Sequence, residues 1–259
     1  MKYIKDMKSF RFTLILYISF LFFPLSVFGQ EGDMKEAESA YNGGDYEKAI
    51  SIYEGVLKNY GESPEVYYNL GNAYYKSNKI APAILYYEKA LVLHPEDKDT
   101  RFNLQIAKGK TVDKIEPIGE FFLSKWFKSV QNAANIDTWG ILGISSFLFL
   151  IVCLSLFFFS PKILIKKISF YVGILSIIIL IFSNVFASAQ KDEMENRSSA
   201  IVFAATVTVK SSPDESGTDL FVLHEGTKVS IKSTLGEWSE IELEDGNVGW
   251  LQSKNIEKI

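Results

Sequence analysis

Residues 64–97 read PEVYYNLGNAYYKSNKIAPAILYYEKALVLHPED, and their small and aromatic positions predict a pair of packed helices. The first helix supplies Tyr67, Leu70, Gly71 and Tyr74; the second supplies Ala83, Tyr87 and Ala90, and Pro95 follows. Gly71 and Ala83 are small enough for the helices to approach closely where they cross, while Tyr74 and Tyr87 fill the space between them. Pro95 cannot continue a helix and stops the second one. About 34 residues earlier, Ala37, Tyr41, Gly44, Tyr46, Ala49, Tyr53 and Leu57 recur in an equivalent arrangement, lacking only the aromatic of the first helix. Beyond Pro95, DTRFNLQIAKGK (99–110) is expected to add one helix that covers the last apolar face.

These positions at this spacing are closely similar to the tetratricopeptide (TPR) motif, so residues 30–110 are expected to hold two repeats and a capping helix. The resemblance implies that a peptide or partner helix binds in the groove lined by each repeat's first helix. Projected onto the pattern, that groove shows Met34, Glu38, Tyr41 and Asn42, then Glu65, Tyr68, Asn69, Asn72, Tyr75 and Lys76. Tyr41, Asn42, Tyr68, Asn69, Asn72, Tyr75 and Lys76 are the candidate partner-binding residues. Met34 and Glu38 stand where Lys and Asn would complete the basic set that some TPR proteins use to clamp a C-terminal carboxylate. A solvated tyrosine surface without a ligand is the alternative.

Apolar residues make up 47% of the 259-residue chain and concentrate in three blocks, 12–28, 139–159 and 168–187. The first follows Lys2, Lys5, Lys8 and Arg11 and reads as the core of a signal peptide over 1–29. Val27 and Gly29 fit the positions before a cleavage site ahead of Gln30; an uncleaved anchor is the other reading. The other two blocks predict transmembrane helices over 138–160 and 168–189, each near the ~20 residues that cross a bilayer core. The link between them, 161–167, holds three lysines and no acid, which assigns it to the cytoplasm. Signal peptide and lysine link thus place both flanking parts in the periplasm of a two-pass inner-membrane protein. The spans hold no Asp, Glu, Lys, Arg or His, which favours an anchor over a conduit. Residues 111–137 are expected to form an amphipathic juxtamembrane helix, with Ile118, Phe122, Trp126 and Val130 at i, i+4 spacing. Packing beneath the repeats is the alternative to lying in the membrane interface.

After a charged linker, 190–199, the pattern changes to short runs with period-two alternation and turn signals at Ser212-Pro213, Glu225-Gly226, Leu235-Gly236 and Asp245-Gly246. Residues 200–259 therefore predict a small all-β barrel. The order V-K-S-S-P, L-H-E-G-T-K-V, G-E-W-S-E-I, D-G-N-V-G-W-L resembles bacterial SH3 domains, with Gly226, Trp238, Gly249 and Trp250 at the signature places. Trp238 and Trp250 are expected to cover the barrel as core residues, and peptidoglycan is the ligand class the resemblance offers. The fold class is thus α then β, with a two-helix hairpin between.

Net charge is roughly −3 over 30–110 and roughly −6 over 191–259, which excludes the basic surface that nucleic acid requires. The one cysteine, Cys153, lies in an apolar run, and His94 and His224 belong to separate modules. No nucleophile–base pair or metal-ligand spacing is legible, so no catalytic residue, cofactor or metal is expected. A cell-wall peptidase is disfavoured on the same ground.

Signal peptide, TPR pair, two-span hairpin and SH3 module, in that order, resemble the BatE proteins of bacterial aerotolerance operons. AIVFAATVTVKSSPDESGTDLFVLHEGTKV (200–229) carries the most specific part of the likeness. The resemblance implies a non-catalytic assembly role in oxygen tolerance or envelope stress. Its implied partners are other Bat-type membrane proteins with von Willebrand factor A-type domains and a MoxR-type ATPase. A peptidoglycan-binding envelope sensor is the alternative function.

Overall fold

The computed structural model describes residues 25–116, 119 and 121–259. The expected signal peptide lies outside the described residues except for Leu25 onward, which opens the first helix. Helices α1 (Leu25–Asn42), α2 (Tyr46–Tyr60), α3 (Pro64–Lys76), α4 (Ile80–Leu93) and α5 (Lys98–Gly109) form the repeat region. Local chemistry sets their ends. Asp45, Ser63 and Asp97 accept hydrogen bonds from the first-turn amides of α2, α3 and α5, and Pro64 opens α3 where a missing N–H is harmless. The turns α1–α2 and α3–α4 need a left-handed residue at equivalent places, filled by Gly44 (φ 82°) and Asn78 (φ 61°). Ala37, Ala49, Leu70 and Ala73 are fully buried at the helix crossings. The ring of Tyr87 lies against Gly71, where a Cβ would come within 2.6 Å of it.

Two apolar helices follow the short α6 (Phe122–Gln131): α7 (Ile136–Phe159) and α8 (Ile163–Glu195). Both are long and apolar enough to cross a membrane. They pack against each other through small side chains, with Gly143, Ser146 and Cys153 of α7 and Ser169, Gly173, Ser176 and Ser183 of α8 buried, while most of their large residues, Phe186 excepted, face outward. Two expected boundaries move. The link expected over 161–167 tightens to a turn at Ser160–Lys162, because nothing after Pro161 interrupts the helical pattern. The linker expected over 190–199 is helical to Glu195, its charges compatible with a helix and Lys191 paired with Glu195 at i, i+4. At 1.5 Å per residue α8 runs about 50 Å, longer than the ~30 Å of a bilayer core.

Strands β1 (Ser199–Val202), β2 (Thr206–Lys210), β3 (Asp219–His224), β4 (Lys228–Leu235), β5 (Trp238–Glu242), β6 (Val248–Gln252) and β7 (Ile256–Lys258) form an antiparallel sheet. Its order is β3-β2-β6-β5-β4-β1-β7. Val202, Val209, Val229, Ile241 and Leu251 fill its core. Strand β1 is covered on both sides: Ala200 and Val202 face that core, whereas Ile201, with Ile259, joins Ala81, Ile84 and Leu104 of the repeats. Repeat region and sheet therefore share one apolar cluster.

Of the helix expected over 111–137, residues 111–116 are not helical, Ile118 lies outside the described residues, and α6 covers Phe122–Gln131, with Ile136 and Asp137 already in α7. Residues 111–116 instead run as a strap along the sheet. The Asp113 carboxylate accepts from the His224 backbone (2.7 Å) and Thr227 Oγ1 (2.6 Å) and meets His224 Nδ1 at 2.8 Å, while Ile115 packs on the sheet core. Those bonds hold the segment extended. The later turns of α6 adjoin the hairpin rather than the repeats, with Phe127 in contact with Phe186 and Trp126 and Val130 lining a groove with Trp139 and Phe182, while Phe122 and Leu123 stay exposed.

Candidate functional site

The first helices of the repeats and the cap helix line one groove of about 270 Å³. Tyr41 comes from α1, Tyr68, Asn72, Tyr75 and Lys76 from α3, and Asn103 and Ile106 from α5, with Tyr87 of α4 beneath. The Tyr87 hydroxyl donates to Asn72 Oδ1 at 2.7 Å, and Asn103 Nδ2 donates to the same oxygen at 2.9 Å. Burial pushes the Tyr87 phenol far above its ordinary pKa, so it remains a donor and fixes the orientation of the Asn72 amide. Lys110 sits 4.2 Å from the Tyr75 ring centroid, and Lys76 is exposed beside Tyr75, which makes this end of the groove cationic. Burial also raises the Tyr41 phenol.

Five of the seven sequence-chosen residues thus converge: Tyr41, Tyr68, Asn72, Tyr75 and Lys76. Asn42 is exposed at the end of α1, and Asn69 is half-buried on α3; neither lines the groove. Met34 packs into the first-repeat core instead of presenting itself to a ligand. Asn103 and Ile106 complete the groove, although the sequence pattern marks 99–110 only as a cover. They lie one 34-residue period after Asn69 and Asn72, and Lys110 lies one after Lys76. Extending the period would have found all three.

The opposite face of the repeats is occupied. Glu88 on α4 pairs with Lys108 of α5 at 2.7 Å and Lys228 of β4 at 2.8 Å. Burial alone would raise the Glu88 carboxyl, but the two lysines dominate and pull it down to about 2. Arg197 grips Glu62 through its two terminal guanidinium nitrogens, Nη1 at 2.7 Å and Nη2 at 2.6 Å. Gly226 (φ 86°) abuts the repeat side, where a Cβ would lie 2.7 Å from Thr111 and 3.2 Å from Ile84.

The tryptophans expected in the barrel core lie elsewhere. Ser239, Ile241 and Leu251 point inward and are buried, so Trp238 and Trp250, one residue out of phase, stand half-exposed on the outer face. Trp250 pairs with Glu240 on one side and Lys210 on the other, and Trp238 lies on the diagonal. Cys153 is buried against Gly173 within the hairpin, and His94 pairs with Glu96. Among the described residues no group of three or more His, Cys, Asp or Glu converges as metal ligands do.

Comparison with known families matches residues 64–97 and 32–63 to tetratricopeptide repeats and residues 205–257 to the bacterial SH3 domain. No curated protein matches the chain. Among solved structures, the Sgt2 TPR domain from Aspergillus fumigatus is similar at a TM-score of 0.30 and 15% identity, over 65% of this chain and 80% of that one. The chain therefore carries two TPR repeats and a bacterial SH3 domain on either side of two helices long and apolar enough to cross a membrane. Both kinds of module fit protein–protein or peptidoglycan binding.

Proposed function

We propose that the chain is a non-catalytic scaffold anchored in a bacterial inner membrane by α7 and α8, with its TPR and SH3 modules in the periplasm. In this reading the groove through Tyr41, Tyr68, Asn72, Tyr75 and Lys76 takes a segment of a partner protein. The observation that carries it is the division of the repeat surface: the SH3 module covers α4, whereas the groove of α1, α3 and α5 stays open. Fused by one core, the modules present that groove at a set position above the membrane. The module order resembles BatE proteins, so the partners proposed are Bat-type membrane proteins with von Willebrand factor A-type domains and a MoxR-type ATPase, in an envelope-stress role.

The test is capture of those partners from mild detergent by the full chain and by variants carrying Tyr41→Ala or Lys76→Glu. Lys76 is exposed, whereas Tyr41 packs partly on the first-repeat core, so the melting temperature of each variant is measured alongside its capture. Loss of capture supports the groove; undiminished capture by both variants removes it. A second reading, peptidoglycan binding, draws on the half-exposed Trp238 and Trp250.

A further inference from the structure

The repeats are acidic as a whole, roughly −3 over 30–110, yet among the described residues no Asp or Glu lines the groove of α1, α3 and α5. Its one charged lining residue is Lys76, and Lys110, 4.2 Å from the Tyr75 ring centroid, adds a second cation at that end. Lys35, Lys48, Lys79 and Lys108 of the repeats are each paired with a glutamate. Lys76 and Lys110 are exposed and have no carboxylate partner among the described residues. This end of the groove is therefore open to an anion from outside.

The middle of the groove is arranged for main chain. Asn72 Oδ1 accepts from the Tyr87 hydroxyl and from Asn103 Nδ2. That leaves Asn72 Nδ2 as a donor and Asn103 Oδ1 as an acceptor, and neither is sealed from solvent. A neighbouring donor and acceptor complement the C=O and N–H of an extended peptide. Ile106 and the rings of Tyr41 and Tyr68 add apolar surface to the walls. A chain terminus is not the match, because Met34 is packed into the first-repeat core and Glu38 has the wrong sign for a terminal carboxylate. We propose that the groove takes an extended protein segment with an internal aspartate or glutamate side chain seated at Lys76 and Lys110. The proposal rests on the groove reading above and names the chemistry of its partner.

A phage-displayed library of random dodecapeptides tests it. Each peptide is fused to the coat protein through its C-terminus, so none presents a terminal carboxylate. The library is selected on the full chain in detergent micelles. Retained peptides are expected to share an Asp or Glu, and Lys76→Gln with Lys110→Gln is expected to abolish that enrichment. A retained sequence, synthesised with an amidated C-terminus, is then followed by fluorescence anisotropy. Replacing its acid by the matching amide should weaken binding roughly tenfold, the size of one charged hydrogen bond. The same replacement should change nothing in the double lysine variant. Retained peptides without a shared acid overturn the acidic assignment, as does an equal loss in parent and double variant. Binding that survives Tyr41→Ala with Ile106→Ala lies outside the groove and overturns the groove reading itself, a distinct result.

Discussion

Glu88 of the second TPR repeat and Lys228 of the SH3 module meet at 2.8 Å, with Lys108 closing on the other carboxylate oxygen at 2.7 Å. One acid thus joins two modules that lie on opposite sides of the membrane hairpin in the chain. Replacing it by Gln keeps the shape but leaves two lysines facing a neutral amide. The expected loss is about 2–4 kcal/mol, at the lower end because both lysines keep some access to water. Thermal unfolding of the full chain in detergent, followed by tryptophan fluorescence, measures it. A change below about 0.5 kcal/mol would remove the lock.

The same carboxylate makes docking acid-sensitive. Its pKa in the folded chain is about 2, against the ordinary 4.5 of an unfolded glutamate. A depressed folded value means that the contribution is fully present above pH 4.5 and fades as pH falls toward 2. The size is about 3 kcal/mol from a shift of this order. Glu62, lowered by Arg197, and Asp113, lowered against its burial by Thr227 and His224, add in the same direction. Stability measured from pH 7 to 2 should fall in that window, and Glu88→Gln should flatten the fall. Equal slopes in parent and variant would assign acid sensitivity elsewhere.

Much of this was legible in the residues, for identifiable reasons. A 34-residue period with small residues at the crossings specifies helix pairs, because Gly71 leaves room only for a ring such as Tyr87. Long runs without charge specify α7 and α8. What escaped depends on contacts distant in sequence. The docking of Ile201 and Ile259 on the repeats and the strap at Asp113 have no local signature. The tryptophans escaped for another reason: Trp238 and Ile241 are three residues apart, which in a strand puts them on opposite faces. In the groove, Asn103 follows from the period, 34 residues after Asn69, although its helix carries no full repeat pattern of its own.

Three glycines should respond with different signs. At Gly71 a methyl would sit 2.6 Å from the ring of Tyr87, itself fully buried, so Gly71→Ala is expected to cost about 1–3 kcal/mol. Gly226→Ala combines a positive φ with a 2.7 Å approach to Thr111 and should cost at least as much, by loosening the modules from each other. Gly55, inside α2, has nothing within 4 Å of its Cβ position, and Gly55→Ala should stabilise by about 0.5–1 kcal/mol. Melting temperatures of the three variants check the pattern; a stabilising Gly71→Ala would contradict the close helix crossing.

The proposed topology is best read by cysteine labelling, because Ile259 is 4% exposed in the shared core and a fusion at the C-terminus would disturb it. In a Cys153→Ser chain, a cysteine replacing the exposed Glu244 should react with an impermeant maleimide in intact spheroplasts. One replacing Lys167 should react only after lysis. The reverse pattern would put both modules in the cytoplasm.

Trp250 and Leu251 separate structure from recognition within two adjacent residues of β6. Leu251 is fully buried in the sheet core, so Leu251→Ala should cost about 2–5 kcal/mol. Trp250 stands half-exposed between Lys210 and Glu240, and Trp250→Ala should cost less than about 1 kcal/mol in stability. If the SH3 module reads peptidoglycan, the Trp250 variant, still folded, should lose retention on isolated sacculi while keeping capture of protein partners through the TPR groove. Retention unchanged by Trp250→Ala and Trp238→Ala would assign the outer face no part in wall binding. Loss of partner capture in the same variants would instead extend the protein-binding surface from the groove to the SH3 module.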